Sequence, residues 1–402
     1  MGKKTVEVTF ETITPLWTGN AWQEMTEIRP SSLIGSLRFW FETVMYFAGV
    51  LEKIDLGSGK SKVNLNKDEL RKFCWENGND IPKLIEHLSK EQKIPISSIV
   101  FGTTGWRSLI EIKLKSDESS NNSSLNNTLQ LPYAIGINKK DENSLPKEFE
   151  TNEEWKKFIE EYTGRDFKEK LKNAKKEWSF FFFPDRYFYG EVTLEFKIPE
   201  CLEESIFYPL LTFMESYGFW GGKWNLGFGR LNIKNVSGKE KEWRSNVFDL
   251  KLFHKEDIKI DDIVHQQEVR PNTVNELTKR IQNILYYKKR KINLLKAGKK
   301  PREYKEFIIN SLKAKYLIRN FLRHDCEEQN RFRKECFYKS KFLKGKEINC
   351  KGRKYKCEEI QRKIFLRHKF LGELGEGSKL LPFFSQANTG FLAITGLIEF
   401  RG

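Results

Sequence analysis

From Val6 to Phe10 the chain alternates, with Val6, Val8 and Phe10 apolar and Glu7 and Thr9 polar between them. A period of two predicts a strand with one buried face. Thr14, Pro15, Thr18, Gly19 and Asn20 break the pattern. From Pro30 the period lengthens: Leu33, Leu37, Trp40, Val44 and Phe47 recur at spacings of three and four, which predicts a helix. Pro30 in the first turn, with Ser31 and Ser32 beside it, suits a helix start. Strand character returns at Ser98–Val100 and Ser108–Leu114, with FGTTGWR between them, and again at Phe188–Ile198 (FYGEVTLEFKI). Leu202–Tyr217 reads as a helix, and a glycine-rich turn, Gly218–Gly229, leads into a strand over Arg230–Val236.

The order strand, helix, strand, insertion, strand, helix, strand matches a ferredoxin-like β-α-β-β-α-β unit, an antiparallel sheet with two helices on one face. Two polar, helix-bearing insertions interrupt it, near 52–96 and 116–180; the second opens with the low-complexity run SDESSNNSSLNNT. From 245 a basic, helix-rich second half begins. It has a strand-like start at Val247–Phe253, long helices to about 323, irregular chain over 331–363 and a final strand at Phe391–Phe400. Both halves contain a turn of similar type, FGTTG at 101–105 and FLGELGEG at 370–377. The expected fold is therefore α+β, with two ferredoxin-like (RRM-like) domains, 1–244 and 245–402, the second degenerate.

At 402 residues the chain is long enough for two cores. Charge changes the picture more than composition does. Lys279 to Lys369 carries 30 Lys and Arg against 9 Asp and Glu, a net of +21, whereas the rest carries 41 against 46. All of the excess positive charge lies in the second half, which points to a polyanion partner. No apolar run reaches the roughly 18 residues that span a bilayer, and MGKKTVEVTF lacks the apolar core of a signal peptide. The expected location is the cytoplasm, with no membrane contact. Cys326, Cys336, Cys350 and Cys357 have wide, irregular spacing without the close pairs of a structural zinc site, so no metal and no cofactor are expected.

Three stretches carry candidate chemistry. On the first helix, Leu33, Leu37 and Trp40 form a core stripe, while Ser31, Gly35 and Arg38 lie on another side. Gly35 costs helix stability, which ordinary helix packing or the close approach of a ligand would each explain. A serine-rich helix start favours anions, and Arg29 and Arg38 can pair with phosphate. The second stretch is YGFWGGKWNLGFGR, 217–230, with five glycines in fourteen residues. Lys223 and Arg230 offer phosphate contacts there, and Phe219, Trp220 or Trp224 a ring to stack on a base or wedge between bases; the spacing fits neither a P-loop nor a dinucleotide fingerprint. The third, FGTTGWRS, contributes Arg107. Histidines stand apart at 87, 254, 265, 324 and 368, and no nucleophile–base set can be assembled from local spacing.

ETITPLWTG at 11–19, EIRPSSLIGSLRFWFE at 27–42, FGTTGWRS at 101–108 and GFWGGKWNLGFGR at 218–230 resemble, in this order, motifs of the RAMP superfamily of CRISPR proteins. The bulky LRFWFE form of the first helix is most similar to the large two-domain RAMP subunit at the head of the type III-B Cmr complex. The resemblance implies two ferredoxin-like domains and a non-catalytic, antiviral role. It implies that the chain holds the 3′ region of a guide RNA and the 5′ part of the bound target beside other RAMP subunits. It places Arg29, Ser32 and Arg38 in the helix-start motif and Lys223 and Arg230 in the glycine-rich loop. With them, Ser31, Gly35, Trp40, Arg107, Trp224, Asn225 and, from the basic half, Arg319 and Arg323 complete the expected RNA-binding set. The competing expectation is a metal-independent guide-RNA-processing endoribonuclease of the same superfamily.

Overall fold

The computed structural model describes residues 2–20, 22, 24–51, 65–78, 80–115, 131–139, 146–238 and 243–264. Beyond them it describes the backbone of short strands at 265–267, 347–350, 353–356, 380–384, 389–393 and 398–401.

Strand β1 (Lys3–Thr12) buries Val6, Val8 and Phe10 and turns Thr5, Glu7, Thr9 and Glu11 outward, as its alternation requires. After it come α1 (Pro30–Phe47), α2 (Lys67–Asn77), α3 (Ile81–Lys90), α4 (Ile96–Phe101) and β2 (Glu111–Leu114). A satellite follows, made of β3 (Ala134–Asn138), β4 (Lys147–Phe149), α5 (Asn152–Glu160), α6 (Phe167–Glu177) and β5 (Trp178–Phe182). The main unit then resumes with β6 (Glu191–Pro199), α7 (Glu200–Leu202), α8 (Tyr208–Ser216) and β7 (Leu231–Val236).

The main sheet runs β7-β1-β6-β2, antiparallel throughout. Counted by its own strands the order is 4-1-3-2, with α1 and α8 in the two crossovers, which is β-α-β-β-α-β connectivity. Leu33, Leu37, Trp40, Phe41 and Val44 of α1 and Leu210, Leu211, Phe213 and Met214 of α8 are buried in one core with the inward residues of β1 and β6.

Several expectations change. Ser98–Val100 is helical, not extended: α4 buries all six of its residues and stops at Gly102, whose φ is +84°. A short apolar run with no polar face does not reveal its own period. The 116–180 insertion holds more than helices, since β4-β3-β5 form a sheet whose Ala134 and Phe149 pack with Trp155, Phe158 and Ile159 of α5 and Ala174 of α6. Residues 243–264, with β8 (Val247–Phe248), β9 (Ile258–Lys259) and α9 (Ile260–Ile263), bury Trp243, Phe248, Leu250 and Ile260 in the first core. A boundary after 244 therefore cuts through one packed unit.

In the second half, β10 (His265–Gln267), β13 (Leu380–Phe384), β14 (Thr389–Ala393) and β15 (Ile398–Arg401) form a sheet ordered β10-β15-β14-β13. Strand β10 is parallel to β15, so these described strands do not repeat the 4-1-3-2 order. The single final strand is instead the β14–β15 hairpin, split where Thr395 and Gly396 fall. A second hairpin, β11 (Glu347–Cys350) with β12 (Arg353–Lys356), lies inside the stretch expected to be irregular. The long basic helices with Arg319 and Arg323, Cys326, Cys336, Cys357 and the 370–377 turn lie outside the described residues.

Between α7 and α8 the chain makes a π-helical turn, Glu203–Phe207, that buries Glu203 at 5% exposure. Lys4 Nζ donates to both Glu203 carboxylate oxygens at 3.0 Å, and the Tyr208 hydroxyl donates to one of them. Burial, and then this hydrogen bond, push the Tyr208 phenol far above its ordinary range. The folded chain keeps that proton to higher pH than the unfolded chain, in which a phenol titrates near ~10. Stability is thus unaffected by this group below ~10 and falls as pH rises above it. Urea midpoints measured up to about pH 12 should fall less steeply above ~10 in Tyr208→Phe than in the parent.

Candidate functional site

Three of the stretches singled out by sequence meet at one open groove of about 330 Å³. Trp17, Thr18 and Gly19 line it from the loop after β1, Ser32, Gly35, Ser36 and Phe39 from α1, and Gly221, Gly222 and Trp224 from the glycine-rich loop. The helix contribution is a second stripe, at i, i+3, i+4 and i+7, beside the buried stripe of Leu33, Leu37 and Trp40.

The loops are stitched together by backbone. Gly222 N–H donates to Trp17 O at 2.7 Å, Gly229 N–H to Pro15 O at 2.7 Å, and Gly221 N–H to Ser36 Oγ at 2.9 Å. A side chain at Gly221, where φ is +69°, would lie 2.3 Å from Trp17 O, and one at Gly229, where φ is +90°, 2.0 Å from Trp220 O. These glycines serve the close approach of the chain to itself, rather than to a ligand. Gly35 differs: it is exposed, and nothing lies within 4 Å of where its Cβ would be. Helix packing therefore does not require glycine there.

The candidate residues separate accordingly. Ser31 is exposed, Ser32 and Gly35 line the groove, and Asn225 is exposed in the 224–226 turn. Trp224 lines the groove with its ring 5.0 Å from that of Phe39, and Nε1 donates to Trp220 O at 3.3 Å. Lys223 places Nζ 4.8 Å over the Trp17 ring, a cation–π contact. Arg29 is the N-cap residue of α1; its N–H donates to Thr18 Oγ1 at 3.0 Å and its guanidinium lies 3.5 Å from Glu27. Arg38 is engaged structurally, donating to Glu42 and to Gly102 O, each at 2.8 Å, which ties α1 to the FGTTG loop. Arg107 is exposed, 3.1 Å from Glu111, and does not line the groove.

Two candidates leave the surface altogether. Trp40 is fully buried among Phe213, Phe219 and Trp224. Arg230 is also fully buried, and its guanidinium donates to the carbonyls of Met214, Glu215, Ser216 and Gly218, capping the end of α8. A guanidinium committed to four carbonyls inside the core cannot meet a phosphate. The helix-start anion site weakens too, because Pro30 has no N–H and those of Ser32 and Leu33 turn back to Arg29 O.

Sequence reading missed Phe39 as a groove residue and Trp17 as the ring on which the loops are built, although the Ser32–Phe39 spacing carried the signal. The outward face of the sheet offers no aromatic platform, since Thr5, Glu7, Thr9 and Glu11 of β1 face Lys197, Glu195, Thr193 and Glu191 of β6. Base stacking in the manner of an RRM sheet is thus absent there. Among the described residues, His87 stacks on Phe73 and His254 pairs with Glu86, both away from the groove lining. No cluster of three or more metal-ligating side chains occurs, and no helix is long and apolar enough to cross a membrane, among the described residues.

The RAMP superfamily profile matches residues 9–232, more than half of the chain, and the chain belongs to that superfamily. The matched span takes in all three groove segments and both crossover helices. No curated protein matches the sequence. Among solved structures, the chain is similar to Cmr1 from Pyrococcus furiosus in its apo form, at 14% identity and a TM-score of 0.29, over 85% of this chain and 78% of that one. It is also similar to a chain of the type III-B Cmr-beta complex bound to cognate target RNA and AMPPnP, at 13% identity and a TM-score of 0.26, over 70% and 63%.

Proposed function

We propose that this chain is a non-catalytic RNA-binding subunit of a type III-B CRISPR effector, holding the 3′ region of the guide RNA and the 5′ part of the bound target beside other RAMP subunits. In this reading the first unit is a ferredoxin-like RAMP domain and the basic second half adds electrostatic attraction for RNA. The carrying observation is the convergence of three separate family motifs on one open groove whose helix wall includes an exposed glycine that the protein's own packing does not need. Superfamily membership and the LRFWFE form of α1 support the same reading. Holding is favoured over cutting because no histidine, cysteine or carboxylate is among the described residues that line the groove.

Purification from the native host tests the assignment: co-elution with other RAMP subunits and a guide RNA of defined length is expected, and elution with ribosomes or mixed RNA alone would overturn it. At the residue level, Gly35→Ala should raise stability by about 0.5–1 kcal/mol, the usual gain at an open helical site. The same change should weaken RNA binding. Thermal melts and RNA titrations read the two effects separately, and gained stability with unchanged RNA affinity would remove Gly35 from the RNA surface.

A further inference from the structure

The groove's chemistry bears on which part of an RNA enters it. None of the ten described residues that line the groove is charged. The polar groups that the three segments bring together are largely engaged with one another. Thr18 Oγ1 donates to Glu27 O at 2.9 Å and accepts from Arg29 N–H, and Ser36 Oγ donates to Ser32 O at 2.9 Å and accepts from Gly221 N–H. Gly222 N–H is bound to Trp17 O. A phosphate placed here would lose its water without gaining a charged group from the described lining itself, the Lys223 ammonium being held over the Trp17 ring. What the groove does offer is rings: Phe39 and Trp224 meet at 5.0 Å and 61° on one side, and Trp17 forms part of the lining from the loop after β1. Its volume, about 330 Å³, is at the small end of ligand sites, roughly 300–1,000 Å³, and suits one planar ring system rather than a length of backbone.

Resting on the RNA-binding reading, we infer that the groove is a nucleobase pocket: it takes one unstacked base of a single-stranded RNA against the Phe39, Trp224 and Trp17 rings. The phosphates on either side of that base stay outside. Arg29, whose backbone is held by Thr18 of the groove, and Lys223, whose ammonium lies over Trp17, are the cations assigned to such flanking phosphates. The open space over Gly35 is the clearance through which the ring enters. This division explains why the glycine-rich loop presents so few N–H groups to the groove, and why its large side chains are rings in a protein whose excess charge lies elsewhere.

The test compares, on the full-length chain, a short single-stranded RNA with its abasic counterpart, identical in sugars and phosphates. The parent should bind the base-bearing strand roughly 5- to 150-fold more tightly, the span of one aromatic stacking contact. Gly35→Leu projects into the groove from an exposed helical position where a Cβ meets nothing within 4 Å, so it tests occupancy without removing a ring. It should bring the two affinities together, and Phe39→Ala should bring them part of the way. Equal binding of both strands by the parent would overturn the base pocket while leaving RNA binding intact. A preference unchanged in Gly35→Leu would place the base elsewhere and overturn it too. Binding of neither strand would remove the RNA-holding reading on which the pocket rests.

Discussion

Arg230→Met is expected to destabilise the protein by several kcal/mol, since each buried carbonyl that loses its donor costs about 1–3 kcal/mol. Helix α8 ends at Ser216, and the last carbonyls of a helix have no partner within it. Here Arg230 supplies them, with Nη1 on Met214 O at 3.2 Å and on Gly218 O, and Nη2 on Glu215 O at 2.7 Å and Ser216 O at 3.0 Å. Its carbon Cζ also lies 5.5 Å from the centre of the Phe219 ring. Methionine approximates the stem but removes the guanidinium donors from these buried carbonyls, of which Met214 O keeps the Gly218 N–H at 3.1 Å, and a carbonyl left unpaired costs more than its hydrogen bond contributes. Lysine should recover only part of the loss, because an ammonium cannot reproduce the planar fork that spans four carbonyls. A drop in the urea midpoint, with RNA affinity of the still-folded fraction retained, is the expected pattern. The converse, an unchanged midpoint with RNA binding lost, would return Arg230 to the phosphate contacts.

Trp40→Ala should cost a similar amount, about 3–5 kcal/mol, as for other fully buried large aromatics. The indole is stacked on Phe219 at 6.0 Å, tilted against Phe213 at 5.8 Å and Trp224 at 5.7 Å, and met edge-on by Phe39 at 5.3 Å. Its Nε1–H donates to Phe219 O at 3.0 Å, which joins α1 to the start of the glycine-rich loop. Alanine opens a cavity beneath the ring wall of the groove and leaves that carbonyl without its donor. Phenylalanine should cost less, since it refills most of the volume and loses only the hydrogen bond. Calorimetry of the three proteins checks this order. A small loss in Trp40→Ala would mean that the wall relaxes freely, and the groove would then lack a rigid back.

Arg230 and Trp40 show where sequence reasoning about sites stops. Both sit in motifs that resemble RNA-binding segments of the superfamily, and both residue types are good RNA contacts. Motif membership cannot tell a residue that faces the ligand from one that supports the residue facing it. Gly35 shows the reverse case, since its helical cost marked it from sequence but its reason was ambiguous until the space above it was known. The loop glycines serve approach to Trp17 and Trp220.

The regular elements of the main unit were legible wherever one face of an element is buried and the other wet. In β1, α1, β6 and β7 that contrast writes a period of two or of three to four into the chain. It failed for α4, buried on all sides, and for the aromatic run of β5, where no polar face marks the period. The sequence by itself determined the strand and helix order of the main unit, the concentration of positive charge in the second half and the motifs that mark the superfamily. Tertiary structure alone decided that residues 243–264 complete the first core, that Arg230 caps a helix and that three distant segments close around one uncharged, ring-lined groove. The physical reason is that period and charge are local properties of a chain. Burial and hydrogen-bond partnership are set by residues such as Met214 and Gly218 around Arg230, or Trp17 beside Gly222, which only folding brings into contact.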